Sequence, residues 1–213
     1  QASPKNAQCA HRIISGDQTI LEHWVLLATS ALVGLLIGSF LNVIIHRGPA
    51  MWGLVDDDRR ARGDLVGPRS YCTSCSAPIA RRHLVPVLGY LLLRGRCAAC
   101  GATIPIRYPL VELLGAAAAA ATVLVMGFGL SALLAAMFLW CLIALAAIDA
   151  ETGYLPDALT LPLIAFGLAA NIGGRFAPLP DALIGAAAGY AALTLLRLAY
   201  AALRGREGLG QGD

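Results

Sequence analysis

Charge is scarce in this chain: Asp, Glu, Lys and Arg make up 14% of its 213 residues, against 58% hydrophobic ones. Ordinary soluble domains carry about 25% charged residues, so a chain this apolar, with mean hydropathy +0.69, reads as an integral membrane protein. A formal net charge of only +3 argues against a nucleic-acid partner. The chain also lacks a usable start: it opens on Gln1 and its earliest methionine is Met51, so a fragment or processed product is expected. Residues 1–23 have no basic start followed by an apolar run and no small-residue cleavage pattern, so they are not read as a signal peptide. No repeat of fixed period is evident.

Five stretches are apolar and long enough, or nearly so, for the roughly 20 residues that a helix needs to cross the hydrocarbon. They run approximately over Trp24–Ile45, Pro109–Gly127, Phe128–Ile148, Pro156–Ile172 and Asp181–Leu203. The fourth carries Pro162 and Asn171 and is barely long enough. The expected fold is therefore an all-α, polytopic membrane helix bundle. Ten of the 16 basic residues lie between His46 and Arg107, which assigns that stretch to the cytoplasm. Alternating from there returns Arg204 and Arg206 to the same side and leaves Arg175 in an outer loop. Membrane lipid is thus a partner. The alanine run 116–121 and Gly115, Gly185 and Gly189 fit ordinary close helix packing.

Four of the six cysteines form two CxxC knuckles, Cys72 with Cys75 and Cys97 with Cys100, separated by 21 residues. Each knuckle can present two thiolates to one tetrahedral ion, and a reducing cytoplasm disfavours the alternative of disulfides. Zinc is preferred to iron because nothing else suggests redox work. Four protein thiolates leave no open position, so the ion would be structural and would fold a loop that lacks its own core. Cys141 reads as buried packing, and Cys9 has no partner at ligand spacing. His46 and His83 stand singly and are read as loop residues.

Two acids follow apolar stretches on the same assigned side: Asp149 in LIALAAIDAETGYLPD and Asp213 in the terminal GLGQGD. Taken alone, Asp149 is a helix-end acid with Glu151 and Asp157 as solvated neighbours. The glycines before Asp213 change the balance, because they permit close backbone approach beside a carboxylate at a membrane surface. Two nearby carboxylates share a proton, so one can activate water while the other donates to the carbonyl oxygen or leaving amine. Asp56, Asp57 and Asp58 form another cluster, but among arginines they read as a solvated face.

FLNVIIHR (40–47), the paired knuckles, RGRCAAC, IRYPLVE (106–112), IDAETGYLPD (148–157) and GLGQGD together resemble the bacterial type IV prepilin peptidases. That resemblance implies a GxGD-class aspartic endopeptidase with Asp149 and Asp213 as catalytic pair. It implies cleavage of the basic leader of prepilins and pseudopilins after glycine, at the cytoplasmic face of the bacterial inner membrane. It further implies N-methylation of the new amino terminus with S-adenosylmethionine, with Gly95 carried over as a residue for methyl transfer beside its reading as a turn glycine. Zinc on Cys72, Cys75, Cys97 and Cys100 fits the same frame. The expected organisation is an N-terminal segment (1–23), a first membrane helix (24–45), a zinc-binding loop domain (46–107) and a peptidase membrane domain with about four helices (108–213). Family members continue beyond the GD, so the rival readings are an inactive truncated fragment, a secretion-system membrane adaptor and a proton-coupled transporter.

Overall fold

A computed structural model describes residues 4–56 and 64–204. Its helices are α1 (Pro4–Met51), α2 (Leu88–Leu92), α3 (Arg107–Met126), α4 (Leu130–Thr152), α5 (Asp157–Ala170) and α6 (Leu179–Arg204), with a 3-10 turn at Arg81–His83. Among the described residues, four helical segments are long and apolar enough to cross a membrane: Leu21–Met51, Arg107–Met126, Leu130–Thr152 and Leu179–Tyr200. The chain is a multi-pass membrane protein. Helix α5 has only 14 residues, or about 21 Å at 1.5 Å per residue, less than the ~30 Å hydrocarbon core. It stops where the side-chain Oδ1 of Asn171 accepts the Phe176 and Ala177 N–H groups, ahead of two glycines with positive φ.

Helices α1 and α3 make the tightest pair, and three glycines explain why. A methyl on Gly38 would lie 2.6 Å from Glu112 Cα, and one on Gly115 would lie 2.5 Å from the Gly34 carbonyl oxygen. Backbone therefore packs on backbone, the contact that small residues permit between membrane helices. The pairs 34 with 115, 38 with 112 and 42 with 108 run in opposite directions along the two chains, so α1 and α3 are antiparallel. Helix α4 joins them through the Trp140 indole, which donates to the Gly115 carbonyl at 2.9 Å. Leu41, Ile45, Val111, Ala118, Ala119, Ala144 and Ile148 complete this core.

Gly185 and Gly189 behave differently from the α1 glycines: nothing lies within 4 Å of a methyl built on either. The membrane-length part of α6 has none of its residues buried. The alternation of helix directions has one consequence for function. The end of α1, the start of α3, the end of α4 and the start of α5 all lie at one end of the bundle, and an Arg107–Glu151 ion pair ties the start of α3 to the end of α4.

Candidate functional site

The segment between α1 and α3 folds around its cysteines rather than around a core. Across residues 64–106 only Gly89 and Gly95 are buried, so no side chain there supplies a hydrophobic centre. The two knuckles are built alike. Cys72 N–H donates to Ala77 O and Ser76 N–H to Cys72 O, while Cys97 N–H donates to Ala102 O and Gly101 N–H to Cys97 O. Ser76 and Gly101 hold the matching left-handed positions, φ 60° and 72°. One isolated β-bridge flanks each knuckle, Tyr71 with Pro78 and Arg96 with Thr103.

This geometry brings all four sulfurs within 4.8 Å of one another, with Cys72 and Cys100 Sγ 3.9 Å apart. A tetrahedral ion with bonds of ~2.3 Å to sulfur spaces its ligands by about 3.8 Å, so the cluster fits one metal ion with little adjustment. The backbone N–H groups of Cys100 and Ala99 hold the Cys97 thiol down to about 6, whereas the neighbouring sulfurs of Cys75, Cys97 and Cys72, with burial, push the Cys100 thiol up to about 11, so without a cation the thiols of the cluster do not ionise together.

The cysteine loop is fastened to the bundle by buried polar groups. The Arg47 guanidinium donates to the carbonyls of Asp64, Gly67 and Pro68 at 2.6, 2.9 and 2.7 Å. Asp64 in turn accepts the Gly67 and Val66 N–H groups, which hold its carboxyl below the usual range. From the other side, Glu112 on α3 accepts the Val87 N–H at 2.7 Å. Asn42 on α1 donates to the Tyr108 carbonyl at 3.0 Å and to the Gly38 carbonyl at 3.3 Å.

Between these fastenings lies a cavity of about 350 Å³, bounded by α1, the cysteine loop and the start of α3. Asn42, Glu112, Tyr71, Tyr90, Tyr108 and Arg82 all contribute to its wall. Gly95 does not line it but stands behind Tyr90. Its φ of +68° ends the turn after α2, and a methyl there would meet the Tyr90 hydroxyl at 2.9 Å. Sequence reasoning passed over Asn42 and Glu112 although both sit in the segments that carry the resemblance. The available signal was a polar side chain flanked on both sides by apolar ones within a membrane helix.

Asp149 is exposed in the last turn of α4, at the same end of the bundle as the cysteine cluster. Its carbonyl accepts the Gly153 N–H at 2.7 Å, and Gly153, at φ 68°, stops the helix three residues later. Glu151 beside it is engaged by Arg107, and among the described residues no cation pairs with Asp149. Asp213 lies outside the described residues, as do Asp57 and Asp58. Asp56, the described member of that triplet, is exposed.

The sequence matches the bacterial peptidase A24 N-terminal domain over residues 32–126 and the type IV leader peptidase family over residues 136–213. Among curated proteins it is 43% identical over 197 residues to the prepilin leader peptidase/N-methyltransferase of Neisseria gonorrhoeae, covering 86% of this chain and 69% of that one. The protein of the same name from Burkholderia pseudomallei is 44% identical over 201 residues, 88% of this chain and 65% of its own length. That of Klebsiella pneumoniae is 44% identical over 183 residues, 85% of this chain and 78% of its own. The chain thus spans roughly two thirds to three quarters of the length of these relatives. No solved structure matches.

Proposed function

This chain belongs to the type IV leader peptidase family, and from that premise we propose that it is a membrane aspartic endopeptidase that removes the leader from prepilins and pseudopilins and then N-methylates the new amino terminus. The observation that carries the reading is the ordered match of both domains, together with relatives at 43–44% identity whose name joins the two activities. Asp149 and Asp213 are its catalytic pair. One carboxylate takes a proton from water while the other, protonated, donates to the scissile carbonyl oxygen, and the proton taken from water passes to the leaving amine when the tetrahedral intermediate collapses. No metal is needed for that step.

Zinc occupies the four-cysteine cluster and acts structurally, since four thiolates close its coordination sphere. The basic stretch orients the cluster and Asp149 toward the cytoplasm, with the bundle in the bacterial inner membrane. A leader that has not yet crossed the membrane would meet the active site on that side. S-adenosylmethionine supplies an electrophilic methyl group when bound. The four domains are a terminal segment at 1–23, a first membrane helix at 24–45, the zinc loop at 46–107 and the peptidase membrane domain from 108.

The test uses the full-length enzyme in proteoliposomes with a prepilin substrate. Asp149→Asn should abolish leader cleavage while leaving zinc content unchanged, because an amide cannot take a proton from water. Cleavage at near wild-type rate would remove Asp149 from the pair.

A further inference from the structure

Helix α2 (LGYLL) carries its leucines outward, the reverse of what a helix in a water-facing loop does. Leu88, Leu91 and Leu92 are 57%, 61% and 72% exposed, and their i, i+3, i+4 spacing puts them on one face. Leu84 and Val85, just ahead of the helix, are exposed as well. The other side is turned into the protein. Gly89 is buried against the His83 backbone, and Tyr90 and Leu93 line the cavity beneath the loop. A contiguous apolar face of this kind marks an interaction surface.

The depth of α2 identifies what that face meets. Helix α3 has 20 residues, about 30 Å, so it needs its whole length to cross the hydrocarbon and Arg107 stands at the membrane edge. Glu112 lies five positions further in, about 7.5 Å along the helix. Its carboxylate accepts the N–H of Val87, the residue that leads into α2, at 2.7 Å. The start of α2 is therefore held below the membrane surface, within the depth of about 5–10 Å at which amphipathic helices lie in the boundary of headgroups and acyl chains. Val87 takes φ 60° at this bond, a conformation that a β-branched residue adopts only where its surroundings impose it.

The flanking charges agree with that depth. Residues 81–96 hold four arginines, Arg81, Arg82, Arg94 and Arg96, all exposed, and no acid. Two precede α2 and two follow it. Long basic side chains so placed can reach lipid phosphates while the leucines between them enter the acyl layer. A protein partner would account for an apolar face but not for its level on α3.

We propose that α2 is an interfacial helix, with Leu88, Leu91 and Leu92 in the acyl layer of the leaflet that α3 enters at Arg107 and the four arginines on the phosphates of its headgroups. The cysteine loop then lies against the bilayer instead of hanging from its two ends. Glu112 and Arg47 fasten the loop to the bundle, and α2 fastens it to the lipid. This docking does not depend on the proposed activity.

The experiment places a photoreactive benzophenone side chain at Leu88 or Leu92, or at exposed Ala99 on the second knuckle as the control, in the full-length protein in proteoliposomes of phosphatidylcholine and phosphatidylglycerol. After irradiation, mass spectrometry should find lipid adducts on the tryptic peptide 83–94 and none at Ala99. Leu91→Ser with Leu92→Ser should speed amide hydrogen exchange over 88–95 on the order of tenfold for each leucine lost from the lipid. Circular dichroism reports whether that double variant is folded; where it is not, the adduct map in the singly substituted chains decides. Coupling of the benzophenone at Leu92 to a peptide of this chain or of another protein overturns the proposal, as do equal lipid yields at Leu92 and Ala99 or unchanged exchange in the folded double variant.

Discussion

Two pairs of glycines with the same spacing should respond oppositely to one added methyl. Gly34 and Gly38 lie four apart on α1, Gly185 and Gly189 four apart on α6. At Gly38 an added methyl would sit 2.6 Å from Glu112 Cα, a backbone atom that no rotamer change can move. Carbon atoms settle at about 3.5–4.0 Å, so α1 and α3 must separate by roughly 1 Å. Overpacking of this kind costs about 1–3 kcal/mol, a large share of a typical stability of about 5–15 kcal/mol. The separation also pulls on the Asn42 bond to the Tyr108 carbonyl, 3.0 Å long in this structure. At Gly185 the methyl meets nothing within 4 Å, and the higher helix propensity of alanine should be neutral or favourable by up to about 1 kcal/mol. Unfolding of each variant by SDS titration, followed by circular dichroism, reads both effects. Equal destabilisation by Gly38→Ala and Gly185→Ala would refute the packing argument, because it would mean that α6 is as tightly covered as α1.

Metal analysis of the purified protein should find about one zinc per chain, and Cys97→Ser should lower it while loosening residues 64–106 toward protease. Metal retention against a chelator should weaken as pH falls, since the ligand thiolates must take up protons. The Cys97 thiol, held to about 6, stays deprotonated to lower pH than an ordinary thiol and gives up its proton more easily on metal uptake. Reversing the Arg107–Glu151 pair as Arg107→Glu with Glu151→Arg should recover most of the thermal stability that either single change loses; non-recovery would mean that the pair does not join α3 to α4. Asp149→Asn and Asp213→Asn should leave methylation of a precleaved pilin intact, as read by mass spectrometry of the amino terminus, because that step needs a separate donor site.

The bundle was legible in the sequence because membrane helices announce themselves by composition. The apolar stretch 109–127 lies along α3 at Arg107–Met126, and 128–148 lies along α4 at Leu130–Thr152, displaced only where glycines and polar ends decide the boundary. Hydropathy could not reveal that α1 extends back to Pro4, since a helix outside the hydrocarbon needs no apolar run. Nor could it rank the glycines. Gly115, Gly185 and Gly189 look alike in the chain, yet only Gly115 meets another helix at backbone distance. Which face of a membrane helix is covered depends on partners far away in sequence, and composition carries no record of them.

The candidate site divides along the same line. Local spacing displayed the cysteine cluster, because a CxxC turn brings its two sulfurs together by itself and only the meeting of the two knuckles remained to be found. Asp149 was legible as an acid at the edge of an apolar stretch. The cavity was not, since Asn42 and Glu112 lie 70 residues apart and each is unremarkable until the other is beside it. The antiparallel register of α1 on α3 makes them neighbours, and Gly38 sets that register by letting Glu112 come within reach. Four residues further along α1, Asn42 then meets Tyr108, one turn before Glu112 on α3. The glycine contact that holds the bundle together and the polar residues that open beneath the loop are therefore one arrangement. A change at Gly38 should be felt in the cavity before it is felt at Asp149, which is carried on α4.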